Sequence, residues 1–251
     1  MPPQKPSAKK IIAPIVAILV LAGLIMLGLR AAKEPTAVQP GNEPIEVISW
    51  PSEQVRTETV TDTSGGYDIT ATYPVTKSDA ITTMFRTFIT DQIDAFKKDT
   101  APQEDVEVAI TRPMTLEISY EAQQSDRAQT YVFSIYSDTG GAHGLQTTRT
   151  FAFTETGNQI ILSDLFTNGT KGLSTVSDYV QKELVKEELT NKEWVTEGAA
   201  PTEDNYRNFV VTDAGVTFIF DPYQVAAYAA GIKRVAVPVS EFRSIANPAL
   251  F

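Results

Sequence analysis

Two short segments of the chain carry side chains whose types and spacing could support chemistry. The first, residues 139–144 (TGGAHG), contains His143, the single histidine of the sequence. An imidazole could act as a general base or a ligand near neutral pH, and Gly140, Gly141 and Gly144 would let a partner approach the backbone closely. No Ser or carboxylate stands beside His143 in a nucleophile motif, and the glycines lack the spacing of a phosphate-binding loop. We therefore expect a tight turn with a hydrogen-bonded histidine.

The second segment, residues 220–231 (FDPYQVAAYAAG), contains Tyr223 and Tyr228. Tyrosine offers a rigid apolar ring with a polar tip, so the pair could form an aromatic platform for a sugar or a protein partner. The alternative, which we favour, is that the segment caps the core and buries both rings with their hydroxyl groups hydrogen-bonded.

Carboxylates could in principle serve a hydrolase or a metal ion. Asp138 and Asp164 are candidates for general acid and base chemistry, but nothing in the sequence pairs them. Glu183 and Glu187 have the i,i+4 spacing of half a metal site, yet no further ligand follows at a suitable spacing. This pattern favours a solvent-exposed helix face, and we expect no catalytic residue, cofactor or metal ion.

Composition excludes several function classes. The 251 residues include no Cys and one His, which excludes disulfides, thiolate sites, cysteine nucleophiles and multi-histidine metal sites. The formal net charge is −10, whereas affinity for nucleic acid requires clustered Lys and Arg, so we expect no nucleic-acid partner. The length allows one or two small domains with ordinary cores.

An apolar stretch near the N-terminus predicts a membrane anchor. Ile11 to Leu29 is uncharged over 19 residues, enough for a helix to cross about 30 Å of hydrocarbon. A cleaved signal peptide and a buried core helix are the alternatives. Three lysines precede the span, against Arg30 and Lys33 after it, so residues 1–10 should form a cytoplasmic tail. The prolines of residues 30–57 predict a stalk outside the cell membrane.

The portion beyond the predicted span is strongly acidic. After Lys33 the chain has 16 basic and 31 acidic residues, a net charge of −15. Such a surface favours solubility and attracts cationic partners, and salt weakens this attraction. A soluble exported domain without a charged partner is the plainer interpretation of the same charge.

Residues 58–138 predict a first α+β unit. Apolar periodicity gives strands at 67–73, 106–120 and 131–135, and a helix at 81–98. The helix should begin at Thr76 or Ser78 as N-cap and bury one apolar face. The strand at 106–120 is either one long edge strand or two strands around a bulge.

Residues 139–251 predict a second α+β unit. Its expected elements are strands at 147–153, 160–162, 209–211, 216–220 and 235–239, a helix at 173–189, and a loop at 191–205. The fold class is therefore α+β, with two consecutive small units of antiparallel sheet and helices packed on one face.

Three separated motifs in this order suggest a family: residues 139–144 (TGGAHG), 162–166 (LSDLF) and 220–231 (FDPYQVAAYAAG). From about Val60 to Phe251, the chain resembles the RsiV-like extracytoplasmic module. That module forms the outer part of the RsiV anti-sigma factor and precedes the catalytic domain of some peptidoglycan deacetylases. The resemblance implies two consecutive α+β units and a binding function, since the anti-sigma member senses lysozyme by direct contact.

We therefore expect a single-pass, outward-facing binding module of the bacterial envelope, with lysozyme or a similar cationic wall-active protein as partner. Recognition of peptidoglycan or another glycan, through Tyr223 and Tyr228, is the alternative, and a carboxylate-dependent hydrolase is a remote one. No sigma factor is expected as partner, because only Met1 to Lys10 precede the predicted span. No deacetylase domain is expected either, because the sequence ends at Phe251.

Overall fold

The computed structural model describes residues 56–101 and 112–251. The predicted cytoplasmic tail and membrane span, nearly all of the predicted stalk, and Val106 to Ile110 of the predicted long strand lie outside these ranges. Within them, no helix combines the length and apolarity that crossing a membrane requires.

The described residues form a mixed α+β fold. The strands are β1 (Arg56–Asp62), β2 (Tyr67–Val75), β3 (Met114–Gln124), β4 (Ala128–Asp138), β5 (Leu145–Thr154), β6 (Gln159–Ile160), β7 (Phe209–Thr212), β8 (Gly215–Phe220) and β9 (Lys233–Pro238). The helices are α1 (Asp79–Asp99), α2 (Leu173–Leu184), α3 (Lys192–Gly198) and α4 (Val239–Phe242). Single 3₁₀ turns form at Leu162–Leu165, Gly169–Gly172 and Tyr228–Ala230.

The first sheet has six strands in the order β1–β2–β3–β4–β5–β6. Its pairs are antiparallel except for β2 and β3, which run parallel. The expectation of a purely antiparallel sheet is therefore wrong at this pair. The reason is the connection, because α1 lies between the two strands in the chain and packs on them. Such a crossover brings the chain back to the end of the sheet at which β2 begins, so β3 runs in the same direction as β2.

The predicted division after Asp138 falls inside a hairpin of this first sheet. Strands β4 and β5 pair from Ala128 with Thr154 to Ser137 with Leu145, so the sheet continues past the division. The second sheet begins only at Phe209 and holds β7, β8 and β9 in antiparallel order.

The core of the first sheet lies under α1, as its periodicity predicts. Ser78 is the N-cap and accepts a hydrogen bond from the backbone N–H of Ile81, while Asp79 in the first turn complements the helix dipole. The buried face of α1 presents Phe85 and Ile89 to apolar side chains of β2, β3, β4 and β5. This cluster closes one face of the sheet.

The opposite face of the first sheet packs on the second sheet. Val132 of β4 forms a buried cluster with Val210 of β7 and Ile219 of β8. Asn208 donates a side-chain hydrogen bond to the carbonyl oxygen of Thr148 at 2.8 Å. The other face of the second sheet belongs to a larger core with α2. The two sheets are therefore joined by apolar contacts and by buried hydrogen bonds.

Two predictions for residues 173–205 are wrong. The helix expected to reach residue 189 ends at Leu184, where Thr190 shares its hydroxyl proton between the carbonyl oxygens of Leu184 and Glu187, at 2.9 and 2.8 Å. The expected loop at 191–205 contains α3, because the Asn191 side chain accepts from the N–H of Trp194 at 2.8 Å and caps a new helix.

Candidate functional site

The glycine-rich segment 139–144 is the turn between β4 and β5, as the sequence predicts. Asp138, at the end of β4, accepts two hydrogen bonds from the Arg112 guanidinium, at 2.5 and 3.0 Å. The same carboxylate accepts from the N–H of Gly140 at 2.9 Å, and Arg112 also donates to the carbonyl oxygen of Gly141 at 3.3 Å. Gly140 has φ +83°, a conformation that glycine adopts without strain. Asp138 therefore fixes the turn.

Gly144 connects this turn to the segment 220–231. Its carbonyl oxygen accepts a hydrogen bond from the Tyr228 hydroxyl at 2.8 Å. A Cβ atom at Gly144 would collide with the outer end of the Tyr136 ring, so a larger residue here would have to displace that ring or the turn. The turn and the tyrosine segment, 84 residues apart in sequence, are thus joined by a specific contact.

His143 contacts both tyrosines. Its Nδ1 atom is 2.9 Å from the carbonyl oxygen of Gly144, which can only accept, so Nδ1 carries the proton and donates. In the neutral ring, Nε2 then accepts from the Tyr223 hydroxyl at 3.3 Å. The imidazole stacks on Tyr228 with centroids 4.1 Å apart and planes 26° apart. Both ring nitrogens are therefore engaged, as expected of a hydrogen-bonded turn histidine.

The rings of His143, Tyr223 and Tyr228, called here the aromatic cluster, lie at the surface. His143 is exposed, Tyr228 is half-buried, and 39% of Tyr223 is exposed. The Tyr223 and Tyr228 centroids are 5.5 Å apart at an interplanar angle of 32°. Both tyrosine hydroxyls are hydrogen-bonded, as the interpretation of a segment that caps the core expects, but neither ring is fully buried.

Gln224 fixes the backbone of the segment that carries the two tyrosines. Its amide donates to the carbonyl oxygens of Gly198 and Asn205, each at 3.0 Å, and its Oε1 accepts from the N–H of Asp221 at 3.2 Å. The segment is thereby attached to α3 and to the chain after it. These contacts give Tyr223 and Tyr228 a defined position.

Asp221 is a buried carboxylate that the sequence interpretation missed. It is 7% exposed and lies 3.7 Å from the Arg207 guanidinium. Burial raises the pKa of Asp221 to about 6, although the positive charge of Arg207 opposes this. The available signal was a charged residue directly after β8, a strand of mostly apolar residues. The backbone N–H of Asp221 bonds to Gln224, which fixes the segment that carries Tyr223 and Tyr228.

The other carboxylates have local structural roles. Asp164 accepts from the N–H of Ile161 at 2.9 Å and so closes the 3₁₀ turn of the 162–166 motif. Glu183 pairs with Lys186, and Glu187 pairs with Lys233, each at 2.6 Å. Among residues 56–101 and 112–251, no three Asp, Glu or His side chains are grouped to hold a metal ion.

The 162–166 motif packs against the C-terminal segment of the chain. Asn247 donates to the carbonyl oxygens of Asp164 and Leu165, from its side chain at 2.7 Å and its backbone at 3.0 Å. Phe166 packs edge to face on Phe242 with centroids 5.9 Å apart. This motif therefore holds the chain end, while the other two motifs meet at the candidate site.

Comparison with known proteins links the chain to a family of unknown function. Residues 163–240 match the family described as "Protein of unknown function (DUF3298)". A crystal structure of a DUF3298 family protein from Pseudomonas aeruginosa PAO1 has 16% identity and a TM-score of 0.52, covering 79% of this chain and 97% of that one. Another, from Bacteroides fragilis NCTC 9343, has 17% identity and a TM-score of 0.54, covering 78% and 96%. This chain shares the fold of both.

Relatives in sequence include a peptidoglycan deacetylase and immunogenic proteins. The chain is 26% identical over 184 residues to peptidoglycan-N-acetylmuramic acid deacetylase PdaC of Bacillus subtilis, covering 71% of this chain and 39% of the deacetylase. It is 33% identical over 118 residues to immunogenic protein MPT64 of Mycobacterium tuberculosis, covering 47% of this chain and 51% of that protein. Relatedness to a peptidoglycan deacetylase is thus confirmed, and the likeness to the anti-sigma factor stays a prediction.

Proposed function

We propose that this chain is a membrane-anchored, extracytoplasmic binding module of the bacterial envelope whose partner is lysozyme or a similar cationic, wall-active protein. The aromatic cluster is the observation that carries this proposal. It presents rigid rings at the surface on hydrogen-bonded supports, which is how aromatic anchors act at the centre of protein interfaces. The net charge of −15 beyond Lys33 would attract a basic partner and make association fast and salt-dependent.

Binding without catalysis is part of the proposal. Asp138 is paired with Arg112 and Asp164 caps a turn, and these structural roles support binding without proton transfer by either carboxylate. A purified chain that releases soluble fragments from peptidoglycan would contradict this. Loss of that release in a variant carrying both Asp138→Asn and Asp164→Asn would assign the reaction to these two residues.

The test of the main proposal is direct binding of the full chain, purified in mild detergent, to hen egg-white lysozyme. Biolayer interferometry at physiological salt should show saturable binding, and Tyr223→Ala should weaken it at least tenfold, as loss of an interface anchor does. A lysozyme with its lysines acetylated serves as the control for charge. Absence of binding at low as well as physiological salt contradicts the proposal.

A second candidate function, recognition of peptidoglycan, rests on two observations. The near-parallel rings of His143 and Tyr228 resemble the platforms on which sugar rings stack, and PdaC is by name a peptidoglycan deacetylase. Co-sedimentation with purified peptidoglycan distinguishes the two functions. Retention of the chain in the pellet, lost in Tyr223→Ala, would favour the glycan, and a chain that stays wholly in the supernatant would exclude it.

A further inference from the structure

Two large side chains are held in backbone conformations that L-residues seldom adopt. Among the described residues other than glycine, positive φ occurs at Leu189, with φ +63°, and at Tyr223, with φ +70°. For residues of this size, such a conformation is strained and persists only where the surrounding structure imposes it. Leu189 is 60% exposed and Tyr223 is 39% exposed, so neither gains the full burial that would offset the strain.

Leu189 and Tyr223 belong to adjacent segments. The N–H of Ala227 approaches the carbonyl oxygen of Leu189 at 3.5 Å, and Thr190 forms an antiparallel bridge with Ala226. Val185, which is 48% exposed, lies four residues before Leu189 in the same loop. The loop at residues 185–190 therefore adjoins the segment that carries Tyr223 and Tyr228.

Specific bonds hold the 185–190 loop in this conformation. The Thr190 hydroxyl bonds back to the carbonyl oxygens of Leu184 and Glu187. The Glu187 carboxylate pairs with Lys233 of β9 at 2.6 Å, and the Lys233 side chain is only 15% exposed. Exposure of Leu189 is thus fixed by the fold and does not come from fraying of the end of α2.

Exposed apolar side chains are concentrated here. Five large apolar or aromatic side chains are exposed among the described residues: Val60, Ile161, Val185, Leu189 and Tyr223. Three of the five, Val185, Leu189 and Tyr223, lie on the two adjacent segments. Isolated exposed apolar residues are ordinary, but a group on one surface marks an interaction site. We call these three residues the apolar surface.

The charge around the apolar surface indicates its occupant. Residues 178–204, which include the second half of α2, the loop and α3, hold eight carboxylates and three lysines. Lys233 pairs with Glu187 of this range, so the local net charge is −4. Apolar anchors surrounded by charge of one sign are complementary to a protein surface with apolar residues and charge of the opposite sign. A neutral or anionic glycan would gain nothing from this acidic rim.

We propose that Val185, Leu189 and Tyr223 form the contact surface for a basic protein, which seats an apolar patch on Leu189 and places lysine or arginine side chains against the carboxylates of residues 178–204. This inference rests on the proposed function and specifies where that partner binds. It also explains why a strained leucine is held in solvent, since the strain pre-organises the contact.

The strain supplies a variant that separates binding from folding. Asparagine tolerates left-handed backbone better than leucine, and glycine adopts it freely, so Leu189→Asn and Leu189→Gly should melt at or above the temperature of the wild type. Both should weaken the binding of hen egg-white lysozyme to the full chain at least tenfold at physiological salt, mainly through faster dissociation. Interferometry and thermal unfolding are measured on the same preparations.

Ile161→Asn is the matched control. Ile161 is 54% exposed, has an ordinary φ of −100°, and belongs to the 162–166 region with its contacts to the chain end. Its variant should bind lysozyme as the wild type does. Equal affinity in wild type and both Leu189 variants overturns the contact surface while leaving the proposed function intact, and so does an equal loss in Ile161→Asn. A wild type that fails to bind overturns the proposed function and this inference together.

Discussion

The aromatic cluster lies at the surface, whereas a second group of aromatic rings, called here the buried cluster, lies beneath α1. Beneath α1, Phe85 is fully buried and meets Tyr131, Phe151 and Phe153 at interplanar angles of 65°, 68° and 81°. At the turn, the planes of His143 and Tyr228 differ by only 26°. Edge-to-face contact fills a core from all sides, whereas stacked rings leave one face for a partner.

The two clusters also differ in how their rings are held. The rings under α1 depend on apolar burial, while each ring at the turn has a polar atom in a hydrogen bond. Removing a ring should therefore cost folding stability in one cluster and binding in the other. The following variants test that difference.

The largest effect on stability is expected at Phe85. Phe85→Ala leaves a cavity at the centre of the buried cluster and should lower the free energy of unfolding by about 3 to 5 kcal/mol. Tyr223→Ala, at the surface, should lower it by less than about 1 kcal/mol. Urea unfolding followed by circular dichroism measures both. Similar losses of unfolding free energy in the two variants would show that the aromatic cluster is part of the core.

Asp221 should make stability depend on pH in a direction opposite to that of an ordinary ion pair. Its pKa is raised from 3.8 to about 6, so the folded chain binds a proton more tightly than the unfolded chain does. Stability from this group is present below about pH 4 and is lost as the pH rises through 6, a difference of about 3 kcal/mol. Asp221→Asn should remove this dependence and be at least as stable as the wild type at pH 7.

Asp62 gives the opposite sign and serves as the control for Asp221. Hydrogen bonds from Lys97 and Ser64 hold the pKa of Asp62 far below its usual range. The stabilisation of the folded state by ionised Asp62 is therefore present at neutral pH and is lost as the pH falls toward the acid range. Unfolding measured from pH 2 to 7 should show the advantage of wild type over Asp62→Asn growing as the pH rises to about 4 and staying nearly constant above it. The same difference for Asp221→Asn should fall, and parallel curves would contradict this assignment.

The buried cluster was accessible to sequence analysis because its signal is local. The period of Ile81, Phe85 and Ile89 predicts one buried helix face, and alternation predicts the inward residues of β4 and β5. The relative direction of β2 and β3 could not be predicted from the sequence. Parallel pairing of β2 and β3 follows from the route of α1 over the sheet, and period two is the same for both pairings.

The sequence predicts the aromatic cluster only as two separate segments. His143 and Tyr223 are 80 residues apart, and no periodicity records that the turn meets the segment after β8. Asp221 was missed because a lone carboxylate has no pattern, and its burial depends on Arg207 and on both sheets. Apolar periodicity predicts Leu189 as the last apolar residue of a helix, whereas that helix ends five residues earlier, where the Thr190 hydroxyl bonds to the carbonyl oxygen of Leu184.

Gly144 and Gly141 differ in what surrounds them within one turn. A Cβ at Gly144 meets the Tyr136 ring, so Gly144→Ala must displace that ring or the turn, and should cost about 1 to 3 kcal/mol. A Cβ at Gly141 meets nothing within 4 Å, and its variant should be close to neutral. If Gly144→Ala also weakens partner binding, the position of His143 depends on this packing. Equal stability of the two variants would contradict the close approach.

The smallest expected effect concerns one hydroxyl group in each cluster. Tyr228→Phe removes the 2.8 Å hydrogen bond to the carbonyl oxygen of Gly144 and should lower the free energy of unfolding by about 1 kcal/mol. The Tyr131 hydroxyl makes no hydrogen bond within residues 56–101 and 112–251, and burial raises its pKa to about 12, so Tyr131→Phe should be neutral or slightly stabilising. Because each variant keeps its ring, urea unfolding then measures the hydroxyl alone. A loss in Tyr131→Phe equal to that in Tyr228→Phe would mean that polar bonds hold the buried cluster as well.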